Sequence, residues 1–101
     1  MERLMATNEP DQVFDPQVQE HCRHLLWHFG RRDVGWEPGT FTARLLSAWD
    51  HADDMNYMRL AMGFPDLQIA ISISNEHGHE GLIAYAEGRT YVHPEGDTSW
   101  V

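Results

Sequence analysis

The sequence predicts a mainly α fold: a small single-domain bundle of three to four helices with an irregular or short β C-terminal segment. Three observations predict it. Apolar residues recur at three- and four-residue spacing over much of the chain. Capping residues, glycine or proline bound each of these stretches. The 101 residues, 42% hydrophobic and 11% aromatic, supply one core with little left for a second domain. The alternative is α+β, with a C-terminal β-hairpin or small sheet, should residues 67–74 and 82–92 pair as strands. The expected division is a flexible N-terminal arm over 1–15, a helical domain over 16–93 and a loose tail over 94–101.

The arm carries Asn8, Pro10, Asp11 and Asp15 without periodicity. Asp15 is a natural N-cap and Pro16 a natural first helical residue. Val18, Cys22, Leu25, Leu26 and Phe29 then form an apolar stripe that stops at Gly30. Gly35, Pro38 and Gly39 break the chain into a loop that holds Trp36. A second helix is expected from Thr40, with its hydroxyl as cap and Phe41, Leu45, Ala48, Trp49 and Ala52 on one face. A third follows Asp53, with Asp54 in its first turn and Met55, Met58, Ala61 and Met62 on its apolar side, where core packing is the simpler account of the methionines and an adaptable binding face the alternative. Gly63-Phe64-Pro65 reads as its stop, with Gly63 left-handed.

Residues 66–75 fit two periods. Leu67, Ile69, Ile71 and Ile73 alternate as in a strand, whereas Pro65 at N1 with Leu67, Ala70, Ile71 and Ser74 on one side fits a helix reaching toward Gly78. Residues 82–93 read as a short hairpin or as a helix ended by Gly88.

Composition narrows function. Seven basic against sixteen acidic residues give a charge of −9 with His neutral. Direct binding to a phosphate backbone is disfavoured at that charge, and Arg31-Arg32 is the one adjacent basic pair. All seven basic residues are Arg, so no lysine is present for Schiff-base chemistry. No apolar run approaches the ~20 residues of a membrane span. Met1 to Pro10 lacks the pattern of a secretory signal, so the bacterial cytoplasm is the expected location. Cys22 has no second cysteine to pair with and lies in an apolar stripe, which makes it core rather than nucleophile. No P-loop, G-x-S-x-G, H-E-x-x-H or G-x-G-x-x-G occurs. Asp50, His51, Asp53 and Asp54 are capable of acid–base chemistry, but capping and first-turn electrostatics account for Asp53 and Asp54.

Seven histidines make two groups notable. His21, His24 and His28 fall on one flank of the first helix, where imidazoles on successive turns can ligate Zn or another divalent transition metal. Two turns separate the outer pair by ~10 Å, too far for one tetrahedral ion. At best His24 and His28 bind with help from elsewhere. His77 and His79 flank a glycine turn and would need His93 or the first helix to complete a site. A solvated flank and a water-facing turn are the simpler accounts, and no cofactor is expected. Among the tryptophans, Trp49 reads as core, while Trp27 and Trp36, with Arg31 and Arg32 between them, form a candidate protein-binding patch.

Trp36-Glu37-Pro38-Gly39-Thr40-Phe41-Thr42, followed by Ala52-Asp53, Asn56, Leu60 and Gly63-Phe64-Pro65, gives the pattern E-P-G-[ST]-F-T … A-D … N … G-F-P over residues 36–70. It resembles small uncharacterised proteins of actinobacteriophages. That resemblance implies a phage origin, a bacterial cytoplasm and a helix after G-F-P, but no catalytic residues. The leading expectation is a non-enzymatic acidic protein-binding module, a phage accessory protein acting on a host or phage protein. In one version its acidity mimics DNA to occupy a basic surface. The alternatives are a metal-binding enzyme or sensor using clustered His, and a virion or assembly component, for which a homo-oligomer would be the sign. Neither a membrane nor a nucleic acid is an expected direct partner.

Overall fold

A computed structural model describes residues 13–91. They form α1 (Pro16–His28), α2 (Thr40–Asp50), α3 (Asp54–Gly63) and α4 (Pro65–Ala86), and no strand occurs among them. The fold is mainly helical, as the periodicity predicts. Residues 67–74 and 82–86 are helical, so the strand alternative is not adopted there. Most of the N-terminal arm, His93, Trp100 and the tail over 94–101 lie outside the described residues.

α1 begins as its sequence dictates. The Asp15 carboxylate accepts from the N–H groups of Gln17 and Val18, and Pro16 takes the first helical position. The helix closes on a Schellman motif: Gly30 has φ 91°, its N–H donates to Trp27 O, and Arg31 N–H donates to Leu26 O. α4 ends the same way on Gly88, with φ 72° and bonds from Gly88 N–H to Tyr85 O and from Arg89 N–H to Ala84 O.

α4 is two segments. Gly78, at φ 69° and ψ −161°, occupies a region essentially reserved for glycine and bends the chain sharply. The first segment runs alongside α1, with Asp66 electrostatically near His21 and Ser74 beside His28. The second runs back along α1. His79 stacks on Phe29 with ring centroids 5.5 Å apart, and Tyr85 reaches the start of α1, where its hydroxyl accepts from Asp15 N–H and its ring meets Phe14 edge-on. Gln19 Nε2 donates to Tyr85 O nearby. The expected glycine turn at 77–79 is therefore present, inside one helical stretch.

The core follows from this wrapping. Val18, Cys22, Leu25 and Leu26 of α1 are buried against Leu67, Ala70, Ile73, Leu82 and Tyr85 of α4, with Leu46 and Trp49 added by α2. Cys22 is core, and burial pushes its thiol up to about 12, which leaves it inert near neutrality.

Four local expectations are corrected. Gly39, not the Thr40 hydroxyl, occupies the N-cap of α2, and no side chain caps it. Of the expected stripe on α2 Trp49 is buried, but it is joined by Leu46 rather than by Phe41, which is 69% exposed. Gly63 is not among the left-handed glycines. Pro65 keeps Phe64 out of the helical region (φ −135°, ψ 69°), and that single residue links α3 to α4, so no left-handed stop is needed. Lastly, the methionines of α3 do not face the core. Tyr57, Leu60, Ala61 and Phe64 pack there, while Met55, Met58 and Met62 turn outward.

Candidate functional site

The structure splits the candidate patch around the first loop into separate pairs. The Arg32 guanidinium lies 4.6 Å from the centre of the half-buried Trp27 ring, and Arg23 lies 5.3 Å from that of Trp36. Arg23 also donates to Val34 O at 2.9 Å, so it pins the loop to α1 from beneath Trp36. Arg31 is occupied by Asp33 through two hydrogen bonds of 3.0 and 3.1 Å. That hydrogen bonding, then the opposite charge, raises the Arg31 pKa, and the same contact holds the Asp33 carboxyl below its usual value. Trp36, 55% exposed, is the member of the four that presents apolar surface. Arg23 is the residue sequence reasoning missed, because its partner ring is thirteen positions away.

The histidines diverge. His21 and His24 have ring centroids 5.7 Å apart, and His24 Nε2 lies 3.6 Å from Glu20. His28 turns away to Asp50, His77 packs on Tyr91 and His79 lies on Phe29. Among the described residues no three of His, Cys, Asp and Glu stand together as a metal-binding set. A more direct consequence of the first pair is electrostatic. Burial lowers both the His21 and His24 pKa values, only partly opposed by Glu20. A histidine pKa depressed in the native state means the unfolded chain binds more protons. Stability is then complete above the unfolded value near 6.5 and falls as pH drops toward the depressed values. The urea midpoint should accordingly decrease from about pH 7.5 to about pH 5, and less so in His21→Gln/His24→Gln. Equal pH slopes in the two proteins would refute this assignment.

Two further surfaces stand out among the described residues. On α3 no residue is buried. Met55, Met58 and Met62, spaced on one side of the helix, are 58%, 59% and 80% exposed. Tyr57, Leu60 and Ala61 pack against the core instead, so α3 carries apolar residues around much of its circumference and only part of them is used by the fold. At its C-terminal end the exposed Phe41 stands 6.0 Å from Phe64.

The second surface is a cleft of about 280 Å³ at which all four helices meet. α1 brings Leu25 and His28 with Phe29 just beyond, α2 brings Trp49 and Asp50, α3 brings Tyr57, and α4 brings Ile71, Ser74 and Asn75. His28 Nε2 and Asp50 Oδ2 are 2.7 Å apart and tie α1 to α2 at its edge. Trp49 and Tyr57 meet at 87° with centroids 5.9 Å apart. Trp49 Nε1 is buried with no hydrogen-bond partner among the described residues, an arrangement uncommon in native interiors.

No protein-family model, curated protein or solved structure matches the chain. No helix among the described residues is long and apolar enough to cross a membrane.

Proposed function

We propose that the chain is a non-enzymatic, acidic protein-binding module that receives a basic amphipathic helix of a partner protein on the methionine face of α3. The observation that carries this reading is the unburied α3 with Met55, Met58 and Met62 turned to solvent. Methionine is flexible and polarizable, and a row of it at helical spacing conforms to the apolar side of another helix. Charge selects the partner. The chain carries −9, and Asp53 and Asp54 stand at the N-terminal end of α3 with Asp50 just before them. A second copy would bring the same sign and be repelled, whereas a Lys/Arg-rich helix is attracted. Trp36 offers a further apolar anchor outside this face. In keeping with the actinobacteriophage pattern of residues 36–70, the partner is a protein of the bacterial host or of the phage, met in the cytoplasm.

The test uses a synthetic Leu/Lys peptide patterned as an amphipathic helix and a scrambled peptide of the same composition. Titration into the full chain, followed by calorimetry and by methionine methyl resonances, should give saturable binding for the first and roughly tenfold weaker binding for the second. Met58→Ser/Met62→Ser, at exposed positions that leave the core and the charge intact, should weaken the first peptide by a similar factor. Equal binding of the two peptides would remove the reading. A dimer held together by this face at micromolar concentration would replace it with self-assembly.

A further inference from the structure

We propose that the cleft where the four helices meet is a binding site for a small organic ammonium ion, held between aromatic walls and the Asp50 carboxylate. It is separate from the methionine face, because Tyr57 is the α3 residue that lines the cleft while Met55, Met58 and Met62 are exposed to solvent outside its lining.

The chemistry starts from three rings and one charge. Trp49 and Tyr57 stand almost perpendicular and make an aromatic corner. Phe29, 44% exposed, supplies a further wall, its ring fixed by stacking on His79. Aromatic faces carry negative potential, so they favour a cation with an apolar skin over either a hydrated metal ion or an anion. Asp50 adds a formal negative charge at the edge. One of its oxygens, Oδ2, is engaged by His28, and Oδ1 carries no hydrogen bond among the described residues. His28 therefore positions the carboxylate while leaving one oxygen for the guest. The chain as a whole is negative, which raises the local concentration of any cation.

Size and position agree with this. About 280 Å³ lies at the small end of ligand sites and suits a trimethylammonium group with a short tail, not a large metabolite. Ser74 and Asn75, also in the lining, offer hydrogen-bonding groups to a hydroxyl on such a tail. Because each helix contributes to the wall, the guest would also bridge all four helices, and its binding should stabilise the native state.

The probe is choline, compared with its uncharged isostere 3,3-dimethylbutan-1-ol, titrated into the full chain near neutral pH. Choline should produce one-site saturation, with ring resonances of Phe29, Trp49 and Tyr57 shifting together. The neutral alcohol should bind roughly tenfold more weakly, the discrimination a desolvated cation–π contact gives. Asp50→Asn should reduce choline affinity several-fold with little change for the alcohol. Should Asp50→Asn disturb the α1–α2 contact, Phe29→Leu at the partly exposed wall serves the same purpose and keeps both members of the ion pair, although Phe29 lies against the His28 ring. Equal binding of choline and the alcohol, shifts scattered away from the cleft, or no saturation by about 50 mM would overturn the proposal. Binding of the Leu/Lys peptide is read independently at the methionine methyls, so either result can fail without the other.

Discussion

Leu26→Ala is expected to cost about 2–5 kcal/mol, a large part of the ~5–15 kcal/mol that holds a domain together. Leu26 is fully buried on α1, the helix against which both segments of α4 pack. Truncation removes its transfer energy and leaves a void that neighbours from two directions cannot jointly fill. Its carbonyl also accepts the Arg31 N–H that closes the Schellman motif, so a shift of the helix here is transmitted to the loop. The measurement is a urea titration followed by far-UV circular dichroism, with Met58→Ala as the reference. Met58 is 59% exposed and should change stability by less than about 0.5 kcal/mol. Similar losses in the two variants would mean that α3 is packed on its methionine side, and would contradict the fold and the proposed function together.

That contrast marks the limit of what the sequence discloses. Ends of helices were legible because their causes are local. Asp15 and Asp53 cap their own helices, and Gly30 and Gly88 take the left-handed positions their bonds require. Pro65 starts α4 where its fixed φ suits a first turn. Faces were less legible. α3 has apolar residues on two sides, Tyr57 with Leu60 and Ala61 on one and three methionines on the other, and periodicity is satisfied by either. Which side is buried depends on where α4 lies, a long-range fact. α2 has the same ambiguity, settled in favour of Leu46 over Phe41 by the approach of α1.

The cleft was not legible at all. Its polar edge joins His28 to Asp50 across 22 positions, and its aromatic corner joins Trp49 to Tyr57 across the turn between α2 and α3. The sequence offers each of these residues a sufficient local explanation, as helix flank, cap region or core, so nothing in it groups them. Conversely, the His21, His24 and His28 spacing is conspicuous in sequence, yet only His21 and His24 stay together in space, because His28 turns to Asp50.

Gly35→Ala is expected to destabilise by about 3 kcal/mol, through crowding rather than through backbone conformation. A Cβ at this position would overlap the backbone nitrogen of Trp27 and stand 2.7 Å from Arg31 O and 2.8 Å from the Trp27 Cα. None of these is the end of a flexible side chain, so either the loop must lift or the last turn of α1 must open. The loop is strapped at this point by Gly35 N–H to Arg31 O, Trp36 N–H to Arg23 O and Arg23 Nη1 to Val34 O. Lifting it breaks these bonds together and withdraws Arg23 from the Trp36 ring, so the loss of stability should come with a change in Trp36 fluorescence. Trp36→Phe in the Gly35→Ala background identifies that signal among the four tryptophans. The neighbouring Gly39, where a Cβ would meet nothing within 4 Å, is the control. Gly39→Ala at the N-cap of α2 should cost no more than about 1 kcal/mol, since it removes no side-chain cap. If the two glycines prove equally tolerant of alanine, the loop does not lie against the backbone of α1, and the Arg23–Trp36 pair is not fixed by the fold.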